Sequence, residues 1–165
     1  MAQGDMFLKI EGAKQGAIKG EAQDQKHADE IDVLAWSWGM EGNTIRGQGS
    51  PKTVIHELKL TKRVDRATTA LMSCLRNNEI IKKVVLTVRK AGGPDAIEYF
   101  KITLEKARIT SITTMSGDGP DPSQLGEQLS IAFHKVNVEY RPQGTDGLAR
   151  GGSMFETDIS EGATG

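Results

Sequence analysis

Apolar residues recur at every second position along much of this chain, the spacing of half-buried strands. Met6–Glu11 opens the pattern. Glu30–Glu41 reads as one long second strand, rich in the β-formers Ile31, Val33, Leu34, Trp36 and Trp38. Val54, His56, Leu58, Leu60 and Val64 keep near-strict alternation and predict a third strand over Val54–Val64. Val84, Leu86 and Val88 mark a fourth, and Phe100, Ile102 and Leu104 a fifth.

Two stretches change parity part-way. In Ile97–Thr114 the apolar set moves from Phe100, Ile102 and Leu104 to Ala107 and Ile109, then back to Ile112. In Gln128–Arg141 it moves from Leu129, Ile131 and Phe133 to Val136, Val138 and Tyr140. A period of two cannot shift register without a bulge or bend. Long strands that bend and switch faces curl a sheet over on itself. The expected fold is therefore mainly β, a small β-barrel of two antiparallel sheets with one flanking α-helix.

That helix spans about 68–77. Thr68 or Thr69 is placed to cap it, Leu71, Met72 and Leu75 give it an apolar stripe, and Asn77-Asn78 closes it. The stripe is expected to plug a barrel end or pack on a sheet. Gly residues punctuate the rest, 19 of 165 against an average of about 7%. Gly42–Thr53 is far longer than a hairpin turn requires, and Met115–Leu125 is a second long connector. After Pro142 a glycine-rich stretch leads to Phe155, Thr157 and Ile159, the alternation of a short edge strand. With no internal repeat and no break in composition, residues 1–159 are expected to form one domain, with 160–165 a flexible tail.

Composition narrows the function classes. Lys plus Arg is 21 and Asp plus Glu 22, a formal charge of −1, without the basic surplus of a nucleic-acid binder. No apolar run approaches the roughly 18 residues of a spanning helix, so membrane insertion is not expected. The N-terminus lacks the basic and apolar regions of a cleaved signal peptide. Cys74 is the sole cysteine, which excludes an internal disulfide and a thiolate cluster.

Candidate chemistry is sparse. His27, His56 and His134 share no metal-ligand spacing, and His27 sits in the charged run Asp24–Glu30, expected to be a solvated lead-in to a strand. The chain carries no nucleophile elbow, Walker loop or dinucleotide fingerprint. Asp118 and Asp121 lack the EF-hand context and read as a surface turn. No catalytic residue, cofactor or metal site is expected. Trp36 and Trp38, two apart on one strand, are expected in the core or a subunit contact, the alternative being a stacking platform in a small-ligand-binding β-barrel.

Several strings are more specific. Asp5–Ile10 (DMFLKI), His27–Gly39 (HADEIDVLAWSWG), Val88–Gly93 (VRKAGG), Glu98–Leu104 (EYFKITL) and Asn137–Gln143 (NVEYRPQ) follow in order. Together they resemble the Hcp family, the tube protein of the bacterial type VI secretion system, from Asp5 to about Asp158. The resemblance implies a homohexameric ring whose rings stack into a hollow tube inside contractile sheath proteins. It implies a spike protein at the tube tip, small effector proteins in the lumen, and assembly in the cytoplasm before export. It also assigns the long loop to ring stacking, with Asn43, Thr44, Ile45, Arg46 and Gln48 as its contact residues. The 24 residues after Arg141 (165 − 141) are too few for a fused toxin domain, so no enzyme activity is expected.

Overall fold

The alternating segments form eleven strands and one helix in the computed structural model, which describes residues 5–43, 52–90, 97–117, 123–142 and 152–159. The elements are β1 (Met6–Gly12), β2 (Gly16–Ile18), β3 (Ile31–Asp32), β4 (Ala35–Ser37), β5 (Met40–Asn43), β6 (Lys52–Ile55) and β7 (Leu58–Arg63). Then come α1 (Ala67–Arg76), β8 (Ile81–Arg89), β9 (Glu98–Met115), β10 (Gly126–Tyr140) and β11 (Ser153–Asp158). The expected mainly-β fold with one helix is present.

The division into sheets is less even than expected. Nine strands share one sheet, in the order β2-β1-β8-β9-β10-β7-β4, with β3 on β1 and β11 on β10, while β5 and β6 make a separate two-stranded sheet. The ladders do not close into a continuous barrel. Residues 31–37 draw the ends together instead. Ile31 and Asp32 pair with β1, the Val33 amide donates to Met6 and the Leu34 amide to Thr61, and Ala35–Ser37 pair with β7. The single strand expected over Glu30–Glu41 is thus three short strands, because its partner changes every few residues. Val54–Val64 likewise breaks into β6 and β7 at His56-Glu57.

Both parity shifts mark real bends. Lys106 has φ 52°, a left-handed conformation that lets a residue step out of the ladder without a change of register. It falls between the rows Ile81–Ala107–Phe133 and Lys83–Glu105–Lys135, so Lys82 on β8 and His134 on β10 are skipped at the same level. Three strands bend along one line. A register slip lies between Ser130 and Ile131, and beyond it Ile112 again packs against the core.

The inner face buries Leu8, Ile10, Leu86, Ile102, Leu104 and Ile131 among others, and α1 covers its end with Ala67, Leu71 and Cys74. Met72, expected on the buried stripe, is exposed. The helix start also differs from expectation. Arg66 is the N-cap residue, and Asp65 accepts the Ala67 amide at 2.9 Å. Thr68 is buried in the first turn, where its hydroxyl donates to Glu127 Oε2 at 3.0 Å. Asn77 and Asn78 do end the helix, Asn78 at φ 54°.

Two charged clusters tie these layers together. Lys62 and Glu127 are fully buried, with Nζ and Oε2 2.5 Å apart, and Lys62 also donates to Asp65 at 2.9 Å. Glu127 Oε1 has no hydrogen-bond partner among the described residues. At the far end of β8, Arg89 pairs with Asp24 and Asp5 and lies 4.9 Å over the Phe7 ring. His27 stacks on Phe7 at 4.5 Å and 8°. Its ring nitrogens face Glu30 at 3.0 Å and Glu98 at 2.6 Å. His27 is 8% exposed, so the expected solvated lead-in is instead a packed segment. Charge spacing in sequence gave no sign that Phe7 would sit beneath it.

Elsewhere, the Glu79 carboxylate holds the turn after β1, accepting the amides of Gln15 (3.0 Å) and Lys14 (2.9 Å). The Gln15 amide bond leads the hydrogen bonds that hold its pKa down. Cys74 is a free buried thiol, pushed up to about 11 by desolvation first and the Glu79 charge second, and is therefore a poor nucleophile.

Two stability predictions follow from the clusters. Glu127→Ala strands the Lys62 ammonium in the core and should cost about 3–5 kcal/mol in urea unfolding. The double variant Lys62→Met/Glu127→Leu should recover most of that loss, and equal losses in both would refute the account. Hydrogen bonding from Arg89 holds the Asp24 pKa at about 2. A carboxylate depressed in the folded state stabilises fully above its unfolded pKa of about 4 and loses that contribution as pH falls. Asp24→Asn should therefore be less stable than the parent at pH 6, with the difference shrinking between about pH 4 and pH 2.

Candidate assembly surfaces

β5 and β6 leave the main sheet as a hairpin, pairing Met40 with Ile55 and Asn43 with Lys52. The hairpin stands apart because the chain breaks at Trp38-Gly39 on one side and at His56-Glu57 on the other. Its base is pinned by side chains. Trp38 Nε1 donates to the His56 carbonyl at 2.9 Å, and the His56 amide donates to the Gly39 carbonyl at 3.0 Å. His56 Nε2 lies 2.6 Å from Glu41 Oε1, and Glu57 accepts the Thr110 hydroxyl. The indole is half-buried against the core, so the hairpin root is rigidly joined to the sheet.

The expected contact loop grows from this root. Asn43 is the last residue of β5, while Thr44, Ile45, Arg46 and Gln48 lie outside the described residues. The ladder through Asn43 and Lys52 shortens the connector relative to the Gly42–Thr53 stretch expected. The signal for the split at His56-Glu57 was present in Val54-Ile55, two adjacent apolar residues that break alternation just before it.

The two tryptophans occupy different settings. Trp36 is half-buried, pairs with Leu60 on β7 and stacks on Phe100 at 5.5 Å and 15°. Trp38 serves the hairpin root. Each borders a shallow depression on the surface, of about 330 Å³ beside Trp36 and about 320 Å³ beside Trp38. The space between the sheet layers is filled by aliphatic side chains.

A second surface is the edge formed by β11. It pairs on one side with β10, from Lys135–Asp158 to Tyr140–Ser153. Lys135 bridges Glu156 at 2.7 Å and Glu105 at 3.6 Å. Met154 and Phe155 are exposed, so β11 presents apolar side chains beside a strand edge, a combination suited to pairing with another chain. Among the described residues no cluster of three His, Cys, Asp or Glu could hold a metal ion, and no helix is long and apolar enough to cross a membrane.

Comparison with known proteins agrees with this architecture. The chain is 40% identical over 154 residues to the protein hcp1 of Pseudomonas aeruginosa, covering 91% of each. Its fold is similar to a type VI secretion system effector from Yersinia pestis, with TM-score 0.73, 27% identity, and 94% and 100% of the two chains covered. It is also similar to Hcp1 from Salmonella typhimurium, with TM-score 0.75, 27% identity and 97% of each chain covered. The family described as "Type VI secretion system effector, Hcp" matches residues 7–140. With the strand-dominated fold and the one helix among the described residues, this match places the chain in the Hcp family of the type VI secretion system.

Proposed function

We propose that this chain is the structural tube subunit of a type VI secretion system, acting through assembly and not through catalysis. The observation that carries the reading is the hairpin, a two-stranded sheet separate from the main sheet and rooted on Trp38 and His56. A free two-stranded ribbon is marginal by itself, so its rigid attachment makes sense as a contact arm. Six copies close head to tail into a ring, and rings stack through the arm. Closure and stacking are both heterologous contacts, one that closes and one that repeats.

Within that reading, the tube runs inside contractile sheath proteins, carries a spike protein at its tip and holds small effector proteins in its lumen. It assembles in the cytoplasm and leaves the cell through the apparatus. Trp36 and Trp38 act as core and root anchors. The aliphatic side chains packed between the layers favour this reading over a small-ligand-binding β-barrel.

Light scattering after gel filtration should give about 107 kDa, six times 17.9 kDa, with annular particles in negative stain. A monomer at high concentration would overturn the self-assembling ring. Deleting Asn43–Lys52 should leave folding and ring mass unchanged while end-to-end filaments disappear. Trp38→Ala should do the same in part, because it loosens the root while leaving the connector intact. Loss of the folded state in the deletion would instead make the hairpin part of the core.

A further inference from the structure

We infer that His27 makes residues 19–30 a pH-sensitive strap over the end of β1, latched while its ring carries a proton on each nitrogen and loosened when it carries one. This stretch, between β2 and β3, has no helix or strand of its own. It closes on itself through backbone bonds from the amides of Gly20 to Asp29 (2.7 Å), Ala22 to Glu30 (2.9 Å) and Asp29 to Ala22 (3.0 Å). Ala22 is the one aliphatic side chain it buries, so apolar burial does little to hold it down. Polar contacts fasten it instead, and His27 is at their centre.

The imidazole lies flat against Phe7 of β1 and stands between two carboxylates. Nδ1 is 3.0 Å from Glu30 Oε2 on the strap, and Nε2 is 2.6 Å from Glu98 Oε1 on β9. An ionised carboxylate only accepts, and a neutral imidazole donates from one nitrogen. Both contacts together therefore require two N–H groups, the imidazolium form, whose charge also favours the phenyl face beneath it. When the second proton leaves, one nitrogen turns a lone pair toward a carboxylate oxygen inside a mostly buried site. Glu98, more exposed than Glu30 at 31% against 16%, is the partner that swings away.

The two arginines that also hold the strap keep their charge where an imidazole titrates. Asp24 on the strap bonds to Arg89 of β8, which Asp5 engages as well at 3.3 Å. The Arg89 hydrogen bond keeps Asp24 at about 2, and the same bond raises Arg89 above its ordinary value. The Asp24 charge also attracts the protonated His27 ring. On the other limb, Arg66 at the start of α1 donates to the Gly20 carbonyl at 2.9 Å and to Asp29 at 3.1 Å. A strap loosened at His27 thus stays tethered at both arginines and lifts from β9 alone, so the change is reversible.

Amide hydrogen exchange of the full chain, read by mass spectrometry on a peptide covering residues 19–30, tests the latch. Rates are compared at about pH 5.5 and about pH 8.5, on either side of the ordinary imidazole value, after correction for intrinsic exchange. Protection of this peptide should fall about tenfold at the higher pH, while peptides from β8 and β9 keep theirs. Glu98→Gln should stay protected at both, because a side-chain amide accepts from a protonated Nε2 and donates to a bare one. His27→Gln should show one level of protection throughout. Equal protection of the parent at both pH values, a pH dependence surviving in His27→Gln, or a fall shared by β8 and β9 would each overturn the strap. The latch works within one subunit, so its failure would leave the ring and tube reading standing.

Discussion

The shared bend through Lys82, Lys106 and His134 is the constraint on which the rest of the structure rests. A strand that turns a corner must spend an extra residue or rotate its apolar set into solvent. Here three neighbouring strands insert that residue at one level, so Leu104, Val84 and Val136 stay inward on one side of the line while Ile81 and Ala107 stay inward on the other. Had one strand alone bulged, its two ladders would have fallen out of register. The common level also leaves an end that α1 can close with Ala67, Leu71 and Cys74.

The buried Lys62–Glu127 pair fastens that closure. It joins β7, β10 and the first turn of α1 through Thr68 and Asp65, at a point where an apolar contact would be directionally loose. Buried ion pairs give little net stability but fix geometry, because any displacement leaves a charge unpaired. The hairpin root works by the same logic at the surface. Trp38 supplies apolar area on one side and a single indole hydrogen bond on the other, so position and orientation are set by one residue.

Much of this was legible in the sequence, and what was not has a physical cause. Strand alternation located β1, β8, β9, β10 and β11, and the parity shifts located the bends within a residue or two of Lys106 and His134. Strings such as IDVLAWSWG carry the resemblance to the Hcp family. The failures were tertiary. Glu30–Glu41 alternates as one strand would, yet its backbone bonds pass from β1 to β7. Thr68 has the chemistry of a cap but was claimed by Glu127, and His27 was claimed by Phe7. The asymmetry of the assembly surfaces was hidden for a different reason. The exposure of Met40, Met154 and Phe155 depends on what fails to cover them, which no spacing along the chain records.

The stack of Arg89, Phe7 and His27 has a spectroscopic consequence. A phenyl ring held 4.5 Å from an imidazole at an interplanar angle of 8° places the His27 ring protons in its shielding zone. Of the three histidines, His56 and His134 are exposed and lack such a neighbour among the described residues. One imidazole signal should therefore stand upfield of the other two in a proton spectrum. It reports, with no label added, whether residues 19–30 remain folded over the end of β1.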